Sequence, residues 1–239
     1  MSRPLTAARA RVEATRQRIL DRAERLFARK GYRGVSIREL ARSCRVRPFT
    51  IQYHFGSKLQ LYQVVLCRWD AEVLVRVSRR RRETRDFARL TELAVGELFD
   101  FLLSRRDWLR VNVRAGLGEG LPRGVRLEDR SWASFLEASL RADGTGRPAW
   151  DARLLLITID GILNNHVLAA ERYRDLFGRD VTDQSLRAST KQHLKRVILA
   201  LLDGGPPERA GSGGSTGLSR RSYGRTRRRA RTGAGPPLS

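Results

Sequence analysis

The sequence predicts an all-α protein in three parts: an N-terminal three-helix unit built on a helix-turn-helix, a larger C-terminal helical domain, and a disordered basic C-terminal tail. Three observations predict it. Apolar residues recur at helical spacing from Ile19 to Leu201, the pattern of helices that each bury one face. Ser36 with Glu39, and Ser57 with Gln60, are helix-start signals of the capping-box type. Beyond Gly204 the apolar period stops and Gly, Ser, Pro and Arg take over, a composition that cannot offset its ordering entropy by burial.

The elements follow in order. Ile19, Leu20, Ala23, Leu26 and Phe27 predict a first helix from Thr15 to Lys30, closed by Gly31 as a left-handed cap. Ser36-Ile-Arg-Glu39 starts a second helix, with Val35 and Leu40 as its hydrophobic staple, and this helix runs to about Ser43. Pro48 suits the first position of a third helix, Pro48 to Phe55, which Gly56 ends. A fourth helix carries Leu61, Val64, Val65, Trp69, Val73 and Val77 on one face and frays into Arg79–Arg82. From Phe87 the pattern continues as five helices at about 87–103, 105–118, 131–141, 149–178 and 182–202. Glycines and prolines punctuate them at Gly118–Gly124, Gly144–Pro148 and Gly178. Leu155, Ile159, Ile162 and Leu163, then Leu194, Val197, Ile198 and Leu201, are apolar faces that could pair two subunits in a four-helix interface.

Charge divides the chain in the same places. Of 239 residues, 48 are Lys or Arg and 25 Asp or Glu, a net of +23. Residues 1–58 hold +11, residues 59–84 hold +3, residues 85–203 only +2, and residues 204–239 hold +7. Such a division reads as a basic module, a near-neutral globular domain and a basic tail, with a polyanion, most simply nucleic acid, as the partner. The longest uncharged apolar stretch, Gly161–Ala170, is about half the roughly 20 residues of a membrane span, so no membrane is expected. The N-terminal residues lack an apolar signal region, and two cysteines, Cys44 and Cys67, make no disulfide framework. A cytoplasmic, nucleoid-associated protein is therefore expected.

The three histidines are scattered, the cysteines have no metal spacing, and no nucleophile elbow, phosphate loop or dinucleotide fingerprint occurs. Neither an enzyme nor a cofactor or metal is expected. The second and third helices, joined by a tight turn at Cys44–Val46, instead form a helix-turn-helix over about 36–55. The second helix of such a pair enters a major groove about 12 Å wide.

The stretches Thr15–Leu20, Phe27–Tyr32, Ser36–Ala41 and Thr50–Lys58, in this order and spacing, resemble the DNA-binding domain of the tetracycline-repressor (TetR) family. The resemblance covers residues 13–73; residues 85–203 resemble the family in length, helical character and the Leu176-Phe177-Gly178 that precedes the last helix. It implies a homodimeric transcription regulator that binds a palindromic operator in double-stranded DNA, dimerises through its last two helices and carries a small-molecule effector pocket in the C-terminal domain. Thr50 and Tyr53 fall where members touch bases or phosphates, Gln52 stands where Tyr is usual, His54 ends the recognition helix, and Lys58 matches a phosphate-gripping position. Arg45 replaces a usual Gly, Arg47 a usual Ser cap, and Phe49 a small residue. Thr50, Gln52 and Arg47 are expected at base edges, Arg38, Arg45, Tyr53 and Lys58 on phosphates, and Phe49 against a thymine methyl.

For the pocket, Trp69, Phe99, Trp108, Asn112 and Arg114 lie on helices that line it in this family. Asp160 and Asn164 share one face at i, i+4 of an apolar helix; they either line the pocket or hydrogen-bond across the core or the dimer. The expected activity is a repressor released by ligand. The alternatives are an activator of the same type, or a nucleoid-type protein that binds nucleic acid without sequence preference.

Overall fold

The computed structural model describes residues 3–119, 130–142 and 151–204. These form α1 (Arg3–Lys30), α2 (Ile37–Cys44), α3 (Pro48–Phe55), α4 (Lys58–Leu66), α5 (Asp70–Glu83), α6 (Phe87–Ser104), α7 (Arg106–Gly116), α8 (Arg130–Arg141), α9 (Ala152–Leu168), α10 (Ala170–Phe177) and α11 (Gln184–Asp203). The predicted all-α class holds, and no strand occurs among the described residues. The tail expected at 204–239 lies outside the described residues except for Gly204, as does the punctuation at Gly144–Pro148.

Two apolar cores organise the chain. The first joins Ile19, Phe27, Leu40, Ile51, Leu61 and Tyr62 of α1–α4. It also takes in Val111 and Ala115 of α7, so the N-terminal unit is seated on the next domain by shared burial. The second joins Val73, Phe99, Trp108, Leu155, Leu163, Leu194 and Ile198 across α5–α11.

Start signals read from the sequence are met. The Ser36 and Ser57 hydroxyls each accept the N–H three residues on, from Glu39 and Gln60, at 3.1 Å. Val35 and Leu40 are both buried. Gly31 caps α1 at φ 68°, and Gly178 caps α10 at φ 64°.

Four expectations are corrected. α1 begins at Arg3 rather than near Thr15, because its first turns carry Ala and Arg, good helix formers with no apolar stripe to reveal them. The single fourth helix is two. The Leu66 carbonyl accepts the Trp108 indole N–H at 2.8 Å, and α4 stops there. Arg68 turns back to Asp21 and Glu24 of α1 at 2.6 and 3.2 Å, and α5 restarts at Asp70. The expected 149–178 helix divides at Ala169 into α9 and α10, 65° apart, where Tyr173 turns inward to meet the His166 ring. Finally, Leu155, Leu163, Leu194 and Ile198 are at most 1% exposed. They are core, not a subunit face; the outward apolar residues of α9 and α11 are Leu154, Ile157 and Val197.

Candidate nucleic-acid interface and effector cavity

The helix-turn-helix is set by local chemistry. Arg45 closes α2 in the left-handed region, φ 54° and ψ 46°, the only non-glycine with positive φ among the described residues. There it does what a glycine does without strain: its N–H goes to the Arg42 carbonyl at 3.2 Å, and the next N–H, of Val46, returns to Ala41 at 3.0 Å. Arg47 occupies the N-cap of α3 with no side-chain capping bond, and Pro48 follows as the first helical residue.

This turn and α3 have two sides. Ile51 and Phe55 are buried against α1, with the Arg16 guanidinium 5.4 Å from the Phe55 ring. Arg38, Arg45, Arg47, Phe49, Gln52 and Tyr53 are exposed, Phe49 and Tyr53 by 72% and 71%. Both rings present most of their surface to solvent, Tyr53 keeping an edge contact with the His54 ring at 5.4 Å. Thr50, His54 and Lys58 are half-buried at the margin. Lys58 stands 4.2 Å over the Tyr32 ring, which fixes its ammonium group beside the recognition helix, and burial lowers its pKa. Lys30 binds Glu39 at 2.5 Å and holds that carboxyl below its usual range. The acid nearest the turn is thereby engaged, while Arg38, Arg45 and Arg47 have no ion-pair partner among the described residues. One face thus offers three unpaired guanidiniums, an amide, a phenol and an apolar ring, a set suited to phosphates and base edges.

A cavity of about 990 Å3 lies within α4–α9. Trp108, Asn112, Asp160 and Asn164 line it; Trp69, Phe99 and Arg114 do not. Trp69 instead sits between the Arg68 and Arg105 guanidiniums, 4.7 and 4.1 Å from its ring centre, and donates to Glu24 at 3.1 Å. Phe99 is wholly buried in the second core. Arg114 pairs with Glu119 at 3.3 Å and lies beside Gly31, where an added Cβ would meet its Nη1 at 3.1 Å.

The sequence reading missed Gln63, Asp70 and Thr91 on the cavity wall. Their spacing was available, but they lie on faces otherwise read as core. It also missed a backbone atom, the Leu66 carbonyl, which receives Trp108 at 2.8 Å and the Asn112 amide at 3.5 Å. Two residues of the cavity wall therefore hold the end of the helix that begins at Lys58.

Comparison with known proteins finds its family match in the N-terminal unit. Residues 19–65 match the model of the bacterial regulatory proteins of the tetR family. The HTH-type regulator UidR of Escherichia coli K12 is 33% identical over 64 residues, which are 27% of this chain and 33% of UidR. The negative transcriptional regulator IcaR of the Staphylococcus aureus biofilm operon is 38% identical over 56 residues, 23% of this chain and 30% of IcaR. The chain thus spans about a third of the length of the curated relatives it matches. The crystal structure of FadR from Bacillus subtilis in complex with stearoyl-CoA covers 80% of this chain and 99% of its own, with a TM-score of 0.57 at 18% identity. Residues 19–65 thus match the N-terminal domain of the tetR-family regulators, and the chain shares the fold of that solved structure.

Proposed function

We propose that this protein is a sequence-specific, DNA-binding transcriptional repressor, released from a palindromic operator when a small molecule enters the cavity of its C-terminal domain. The observation that carries it is the exposed face of α3 and its turn, where Arg38, Arg45 and Arg47 stand unpaired beside Gln52 and Tyr53 among the described residues. The match of residues 19–65 supports it, as does the likeness to a negative regulator over 56 residues. The cavity, walled by Trp108 and Asn112, supports the sensing half. The division into residues 13–73 for DNA and 85–203 for effector and dimer belongs to the same reading.

Two subunits related by a two-fold axis would hold two α3 helices about 34 Å apart, one helical turn of DNA. A ligand changes that spacing only by binding the two states with different affinity. No single helix among the described residues is long and apolar enough to cross a membrane.

The test separates base reading from phosphate gripping. Gln52→Ala is expected to relax preference at one base position, while Lys58→Ala weakens all sequences alike and lowers the salt slope by about one. Titration against a panel of operator variants checks both. A flat preference profile in the wild-type protein would instead favour the nucleoid-type alternative.

A further inference from the structure

At the end of α5 the chain places arginines in a row, Arg79 to Arg82, with Arg85 just beyond. They do not share one fate. Arg80 reaches Glu97 of α6 at 2.9 Å and Glu83 at 3.0 Å, and Arg76, one turn earlier, pairs with Glu72 at 2.6 Å. Arg81, Arg82 and Arg85 line a cleft of about 400 Å3 together with Ser78, Thr84 and Ser139. No carboxylate is among the residues described on its wall. Arg81 is braced there, donating to the Ala138 carbonyl near the end of α8 at 3.0 Å, with its guanidinium 5.9 Å from the Phe135 ring centre. Arg82 and Arg85 are exposed and make no ion pair with a described residue.

The cleft is not isolated. Leu90 and Phe135 line it on one side and line the 990 Å3 cavity on the other. The cavity wall is mainly apolar, with Val73, Val77, Leu98, Leu102 and Leu109 among its residues, and its volume is at the upper end for small-molecule sites. An apolar chamber that shares two wall residues with a cleft of three arginines combines two chemistries. Three guanidiniums in one cleft, with hydroxyls between them, match an oxyanion with several acceptor oxygens. The C-terminal end of a helix disfavours anions, so the attraction comes from the side chains alone.

We propose that cavity and cleft form one amphiphile site: an apolar chain fills the cavity, and an anionic, phosphate-bearing headgroup is held by Arg81, Arg82 and Arg85. The proposal rests on reading the cavity as the effector site, and specifies the class of effector.

The test uses the full-length protein and three probes of equal chain length, kept below their micelle-forming concentrations: dodecyl phosphate, dodecanol and dodecyltrimethylammonium. Affinities are measured by calorimetry, and release of operator DNA in parallel. Dodecyl phosphate is expected to bind about tenfold or more tighter than dodecanol, with the cation weakest. The double variant R82Q/R85Q, which spares the braced Arg81, is expected to remove that advantage and leave dodecanol affinity unchanged. Equal affinity for the phosphate and the alcohol, or an advantage that survives R82Q/R85Q, would overturn the proposal while leaving the cavity as a sensor for neutral apolar ligands. Failure of all three to bind or to release DNA would instead remove the sensor reading, and the headgroup site with it.

Discussion

Two arginines at the turn of the helix-turn-helix exchange stability for charge. Arg45 holds a left-handed conformation that costs a residue with a Cβ about 1 kcal/mol. Arg47 caps α3 without a capping bond, forgoing about another 1 kcal/mol. Arg45→Gly and Arg47→Ser are therefore expected to raise stability, by about 0.5 and 1 kcal/mol, the first reduced by the greater freedom glycine gives the unfolded chain. Each is expected to weaken DNA binding and to lower its salt dependence by about one ion. Thermal melts beside binding titrations check the opposite signs, and a variant that lost both would show the arginine to be structural. A second effect at this scale concerns pH. Burial, with a smaller contribution from His193, holds the His166 pKa below its ordinary value, and its Nδ1 meets the Tyr173 hydroxyl at 2.5 Å. The unfolded chain therefore binds a proton that the folded chain refuses in the window between the lowered pKa and about 6.5. This contribution to stability is complete above that window and is lost as pH falls through the folded pKa. Denaturant titrations between pH 8 and 5 should show His166→Gln with a shallower acid loss than the wild type.

At the scale of elements, the decisive feature is the break between α4 and α5. Trp108 takes the Leu66 carbonyl at 2.8 Å, and Arg68, little exposed, is held by Asp21 and Glu24. The end of α4 is thus fastened to the cavity wall on one side and to α1 on the other. Trp108→Phe keeps the ring and removes the N–H donor. It is expected to cost about 1–2 kcal/mol, because a buried carbonyl keeps only the longer Asn112 contact. It is also expected to let ligand bind while releasing DNA less completely. Measuring ligand affinity and operator release on the same variant checks this; unchanged release would show that the signal does not pass through Leu66. This break also marks where the sequence stops being legible. Ser36, Gly31, Pro48 and the Ile51/Phe55 pair could be read directly, because caps and periodicity are local and each names its own position. The break could not, because it depends on a bond between residues 66 and 108 that only tertiary packing brings together. The same holds for Trp69, in the break itself, and for Arg114 of α7, which turn toward Glu24 and Glu119 instead of the cavity. Helix identity is written in period, whereas the direction a side chain takes from a partly buried face is settled by its neighbours.

For the molecule as a whole, the proposed reading of a palindromic operator requires two-fold symmetry, which no single chain can meet. The first 58 residues carry +11 while residues 85–203 carry only +2, so the C-terminal domains can approach one another without strong repulsion while the basic units face DNA. Of the residues named from periodicity, Leu155, Leu163, Leu194 and Ile198 cannot mediate that approach, since they are already spent in the core, whereas Val197 is exposed. The outward faces of α9 and α11, which pack against each other, can. Leu154 is 65% and Val197 37% exposed. Because both side chains are exposed in the single chain, Leu154→Asp and Val197→Asp are expected to leave its fold within about 0.5 kcal/mol of wild type. In a dimer built on this face the substitutions would bury unpaired carboxylates from both subunits in the interface. Sedimentation should then show the double variant as a monomer. Its affinity for a two-half-site operator should fall by about a hundredfold or more, as binding of the second half-site loses its effective concentration, while affinity for an isolated half-site stays the same. A double variant that remained dimeric would place the interface elsewhere, and one that became monomeric yet bound the full operator unchanged would remove dimerisation from the recognition mechanism.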